Sequence, residues 1–156
     1  MSSPSLYSIA TGSVALSASA TKSLWVMDPV TNGFSLVEFG LSFDGSSALT
    51  AVRVDLYQVS SVGSLAGSAM TVNKFTDTNI GAATTTVLGT ITTEATTVTV
   101  LKNWFLTPYS GLLEIQYPLG REPGAGAGLT TNRIGLRCVT PSGVTPNVVS
   151  HAVWQE

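Results

Sequence analysis

Ser35-Leu36-Val37-Glu38-Phe39-Gly40-Leu41-Ser42-Phe43-Asp44-Gly45-Ser46-Ser47-Ala48-Leu49-Thr50-Ala51-Val52-Arg53-Val54-Asp55-Leu56-Tyr57-Gln58-Val59-Ser60 is the stretch whose pattern decides the fold. Val37, Phe39, Leu41 and Phe43 take alternate positions, with Glu38, Gly40 and Ser42 between them. A period of two puts each set on its own face of a strand. The run stops at the turn dipeptide Asp44-Gly45, and Ser46-Ser47 prolongs the loop. A second run follows, with Val52, Val54 and Leu56 on one face and Arg53, Asp55 and Tyr57 on the other. The two runs are expected to form the centre of one sheet packed on one side only.

Working outward, the same grammar repeats. Leu6 to Ala10, Val14 to Leu16, Leu24 to Met27, Leu112 to Tyr117, Arg133 to Thr140 and Val148 to Trp154 all read as strands, separated by Gly, Pro and Asn turns. Two more strands are expected near Thr86–Thr92 and Thr97–Leu101, turned at Glu94-Ala95. β-Branched residues at that density lose rotamer freedom in a helix. Ser60 to Ser68, Asp77 to Ala83 and Leu119 to Thr131 read as loops, and Ala69 to Thr76 as an irregular strand. The expected fold is all-β: a single-domain antiparallel β-sandwich, jelly-roll-like, over residues 1–156, with a short irregular N-terminal arm over about 1–7. A Cys pair around a Trp, as in immunoglobulin domains, is absent. Its core is expected to contain Phe39, Leu41, Phe43, Val52, Val54, Leu56, Ile134, Leu136 and Cys138.

Charged residues make up only 10% of the 156, against about 25% in an ordinary soluble domain. Ser and Thr replace them, and the net charge of -2 gives little repulsion between copies. Such a surface suits a protein packed against others. The basic residues are scattered and outnumbered by acids, so no nucleic-acid partner is expected. No apolar run is long enough to span a membrane, and Met1-Ser2-Ser3-Pro4-Ser5 does not open a secretory signal. The one cysteine, Cys138, has no partner for an internal disulfide, which fits assembly in a cytoplasm.

The residues that carry chemistry are few. Gly40-Leu41-Ser42-Phe43-Asp44 lacks the second Gly of a nucleophile elbow, and Ser42 falls at an outward strand position. Cys138 shares phase with Ile134 and Leu136 and reads as a small buried residue. His151 is the only histidine, with no second ligand at metal spacing, so neither a metal nor a cofactor is expected. Gly124 to Gly128 alternates Gly and Ala but enters a strand, not a phosphate-binding helix. Glu38 and Glu114 are the carboxylate pair a glycosidase would need, yet both fit the outward phase of their strands. The expectation is a protein that is not an enzyme.

Four segments carry a resemblance. They are Ile9-Ala10-Thr11-Gly12-Ser13-Val14-Ala15-Leu16-Ser17-Ala18, Val37 to Gly45, Pro118-Leu119-Gly120-Arg121-Glu122-Pro123, and Cys138-Val139-Thr140-Pro141 with Val148 to Glu156. Together they resemble small virion structural proteins of tailed bacteriophages, of the capsid decoration (cement) type. The resemblance implies a non-enzymatic β-domain on the capsid exterior of a virion, assembled in the host cytoplasm. Its implied partners are the major capsid protein and other copies of itself, as a homotrimer.

On that reading the anchors are the segments without regular pattern. They are the arm, Ser2, Ser3, Pro4, Ser5, Leu6 and Tyr7, and the loop residues Gly120, Arg121, Glu122, Gly124 and Gly126. A second reading is a carbohydrate-binding module on a phage tail or fibre, which would expose Trp25, Trp104 and Tyr109 together as a stacking platform. A third is a head or tail completion component.

Overall fold

The computed structural model describes residues 5–61, 63–75, 80–128 and 132–156. The described residues form thirteen strands and no helix. They are β1 (Leu6–Ala10), β2 (Val14–Ala15), β3 (Thr21–Pro29), β4 (Phe34–Phe43), β5 (Val52–Ser61), β6 (Ala66–Ala69), β7 (Asn73–Lys74), β8 (Thr85–Thr93), β9 (Thr97–Leu106), β10 (Leu112–Gln116), β11 (Gly124–Ala125), β12 (Arg133–Val139) and β13 (Asn147–Gln155). One sheet runs β10-β4-β13-β1-β7, with β11 also on β4 and β2 on β13. The other runs β6-β8-β3-β12-β5-β9. All pairings are antiparallel.

The connectivity is that of a jelly roll. Its two four-stranded halves are β1-β13-β4-β10 and β3-β12-β5-β9. The chain alternates between them, going from β1 to β3, β4 and β5, then from β9 to β10, β12 and β13. The first and last strands pair, from Leu6 opposite Gln155 to Ala10 opposite His151. Strands β6, β7 and β8 form an insertion between β5 and β9 that extends both sheets.

The expectation that the two runs around Phe39 and Val54 share one sheet is corrected. They are β4 and β5, and they lie in opposite sheets. Alternation fixes which side chains share a face, but not which strand lies alongside. Residues 44–51 are long enough to cross the roughly 10 Å between packed sheets. Their inner faces therefore meet across the core instead of lying side by side. Asp44 holds this crossing in place by accepting hydrogen bonds from Ser46 N at 3.2 Å and Asn147 Nδ2 at 2.9 Å.

The core fills the space between the sheets. Phe39, Leu41, Val52, Val54, Leu56, Ile134, Leu136 and Cys138 are all buried there. Phe43 is only half-buried, packed on the core's rim at the end of β4. Around Phe39 the rings of Trp25 and Trp104 stand edge-on, at 6.4 and 5.8 Å between centroids. Tyr7 stacks on Trp154 at 5.9 Å.

The second sheet is covered on its outer side as well, contrary to packing on one side only. β8 leaves its place beside β3 at Gly89-Thr90, where Thr90 takes φ 44°. Its second half then reaches over that outer face and buries Ile91 with Val26, Tyr57 and Val59. Lys22 Nζ donates to the Ile91 carbonyl, and Glu94 accepts from Ser23 N at 2.8 Å. Asp55 is fully buried there, paired with Arg53 and Arg137 at 3.0 Å each. Tyr57 lies across Gly135, its cross-strand neighbour, where a Cβ would stand 2.6 Å from the ring.

Candidate functional site

The insertion that covers the second sheet leaves the outer face of the first one open. Three cross-strand rows run over that face. Leu112, Ser42 and Val149 make the first, and Glu114, Gly40, His151 and Ala10 the second. Gln116, Glu38, Val153 and Ser8 make the third, in which Val153 is itself buried. The outward phases of β10, β4 and β13 place these side chains, so hydrogen-bonded backbone fixes their spacing.

Glu38, Glu114 and His151 converge on this face. One ligand atom from each lies within 4.8 Å of the other two. His151 Nε2 stands 3.5 Å from Glu38 Oε1. Gly40 separates His151 from Glu114 in their row, and its lack of a side chain is required. A Cβ there would meet His151 Cε1 at 2.5 Å and the Leu113 carbonyl oxygen at 2.9 Å. No second ligand stands at metal spacing from His151 in the sequence, and the two glutamates reach it from other strands. Sequence spacing misses the cluster because its members come from three strands, joined by register and not by a local motif. Beside His151 a depression of about 200 Å³ opens between Ala10, Thr11, Leu112 and Val149.

The expected anchors are placed unevenly. Ser2, Ser3 and Pro4 lie outside the described residues. Leu6 and Tyr7 do not belong to an irregular arm, because both are in β1. Tyr7 is buried, and its hydroxyl donates to the Gly81 carbonyl at 3.1 Å. The signal was its shared phase with the buried Ile9. Ser5 is half-buried, and its carbonyl accepts from Glu156 N. In the second segment Gly120, Arg121, Gly124 and Gly126 are exposed. The segment is not a free tip: Gly124 and Ala125 pair with Ser35 and Phe34 of β4. Glu122 turns back on its own segment to accept from Gly120 N at 2.7 Å.

Nor do the aromatics form a platform. Trp25 is fully buried, Trp104 packs on the core, and only Tyr109 is exposed. Cys138 is enclosed in the core, and burial, helped by the Asp55 charge, pushes its thiol up to about 12. At neutral pH it therefore stays protonated and unreactive. Ser42 lies on the open face between Leu112 and Val149, one row from His151.

No family model, curated protein or solved structure matches the chain.

One surface escapes a reading by alternation. β9 continues past Leu101 to Leu106 and forms an edge of the second sheet. Trp104 and Leu106 turn toward the core, whereas Phe105 is 69% exposed. Three apolar residues in a row carry no period, so neither the strand nor its outward Phe stands out. Val100 and Leu101 are exposed on the same edge. A groove of about 230 Å³ joins this edge to the 120–123 segment, lined by Leu101, Lys102, Tyr117, Arg121 and Pro123. Lys102 Nζ sits 5.2 Å from the Tyr117 ring centre. Among the described residues no helix is long and apolar enough to cross a membrane.

Proposed function

We propose that this chain is a non-enzymatic decoration subunit that binds the outer surface of a phage capsid lattice and stabilises the shell. The observation that carries the reading is the edge strand β9 with its neighbouring groove. A long edge bearing outward apolar side chains is a surface that proteins ordinarily hide, because it templates pairing with another chain. Here Val100, Leu101 and Phe105 stand in the open. Of these, Leu101 lines a groove with Arg121, a fixed charge in a chain only 10% charged. Apolar contact area with one charge to set orientation suits a docking surface. The jelly roll is an architecture that virion proteins use widely. In this proposal the major capsid protein is the partner, and copies associate as homotrimers. Repetition over a lattice lets modest single contacts hold by avidity.

The test mixes purified protein with undecorated capsids and sediments them. The parent protein is expected to co-sediment to a saturating ratio. Replacing Arg121 and Glu122 together by Ala is expected to weaken attachment while leaving the unfolding midpoint nearly unchanged. Parent protein that stays in the supernatant at every capsid concentration would sink the proposal.

A further inference from the structure

We propose that Glu38, Glu114 and His151 form a binding site for a single divalent transition-metal ion, zinc by ligand type, on the open face of the first sheet. An imidazole with two carboxylates is a donor set that zinc takes. The geometry is close to that of a bound ion. Ligands about 2.1 Å from a tetrahedral ion stand about 3.4 Å apart. His151 Nε2 and Glu38 Oε1 are already 3.5 Å apart. The full set lies within 4.8 Å, so small side-chain rotations of the two glutamates complete it.

The support is rigid, because the donors project from β4 and from the two strands hydrogen-bonded to either side of it, β10 and β13. Gly40 leaves the floor of the site clear, and any side chain there would strike His151. Two carboxylates share this spot, and among the described residues no lysine or arginine forms an ion pair with either. A cation would relieve their mutual repulsion. With three protein ligands, the fourth position faces solvent and takes water.

His151 is the only histidine, which makes the test direct. Protein freed of any polyhistidine tag would be titrated with ZnCl2 by calorimetry, and its imidazole nitrogens followed by NMR. One equivalent is expected to bind, with a shift at Nε2 and a rise in the unfolding midpoint. Loss of an outer-sphere partner already lowers metal affinity by about 10–100-fold. His151→Ala and Glu114→Gln should therefore each weaken binding by at least about tenfold. Glu114→Gln is a near-isosteric change at an exposed position, so it reports on the ligand and not on folding. Cys138→Ser should bind as the parent does, since that thiol is enclosed in the core. No binding heat and no Nε2 shift at millimolar zinc would overturn the site, as would unchanged affinity in Glu114→Gln.

Discussion

Phe39 and Phe43 are two residues of one phase with different fates. Phe39 is fully enclosed between Trp25, Trp104 and Tyr117, whereas Phe43 sits at the rim. Phe39→Ala is expected to cost about 3–5 kcal/mol, and Phe43→Ala roughly half of that. Denaturant unfolding of both variants checks the ranking, and equal costs would contradict it. Glu156 offers a pH-dependent case. Burial alone would raise its carboxyl, but hydrogen bonds from Thr84 and Thr85 outweigh that and hold it below the usual glutamate range. A depressed folded-state value means stability present above the unfolded pKa and lost as pH falls through the folded one. Glu156→Gln should therefore lower the unfolding midpoint at pH 7. The gap from the parent should narrow as pH falls below the unfolded value and close once pH is below the depressed folded-state one; a gap that stays constant through that acid range would contradict the assignment. At this scale phase was readable in the sequence wherever one face is buried. It did not foretell that Asp55 and Tyr57, on the outward phase of β5, are buried too. The second half of β8 packs over Tyr57, and Arg53 and Arg137 pair with Asp55; alternation encodes neither β8 nor Arg137 as a neighbour.

Elements were legible where the pattern has a period, and their neighbours were not. Strands near Thr86–Thr92 and Thr97–Leu101, with Glu94-Ala95 between them, are found as the sequence suggests, the second running on to Leu106. Yet β8 pairs with β3 and β6, while β9 pairs with β5 at the opposite edge. The connection travels over the outer face, where Ile91 is buried with Val26, Tyr57 and Val59. The β9 edge also carries the functional proposal at this scale. Leu101→Lys together with Phe105→Lys places charges on exposed positions. Substitutions of that kind usually change stability within about 0.5 kcal/mol. The double variant is expected to fold, with an unchanged circular dichroism spectrum, and to lose co-sedimentation with undecorated capsids. Full co-sedimentation would move the contact to another face. The Glu38–Glu114–His151 cluster was hidden for a related reason. Glu38 and Glu114 were visible as outward strand residues and His151 only as a lone strand histidine, and only the register of β10, β4 and β13 shows that they meet.

For the whole molecule, composition and turn spacing were enough for an all-β sandwich. Strand order was beyond them, because pairings such as Leu6 with Gln155 span the entire chain. The resulting jelly roll covers its second sheet with an insertion and leaves the first sheet's face and the β9 edge uncovered. A body with so little charge and such an edge is suited to life among close neighbours. The decoration proposal makes a quantitative demand that a tail or vertex role does not: occupancy must follow the lattice. The most direct measurement is an electron cryomicroscopy reconstruction of capsids saturated with the protein. The account predicts this jelly roll in the density at every equivalent outer lattice site, as three copies about each attachment axis. Density confined to one vertex or the tail, or none on the shell at saturation, would contradict it.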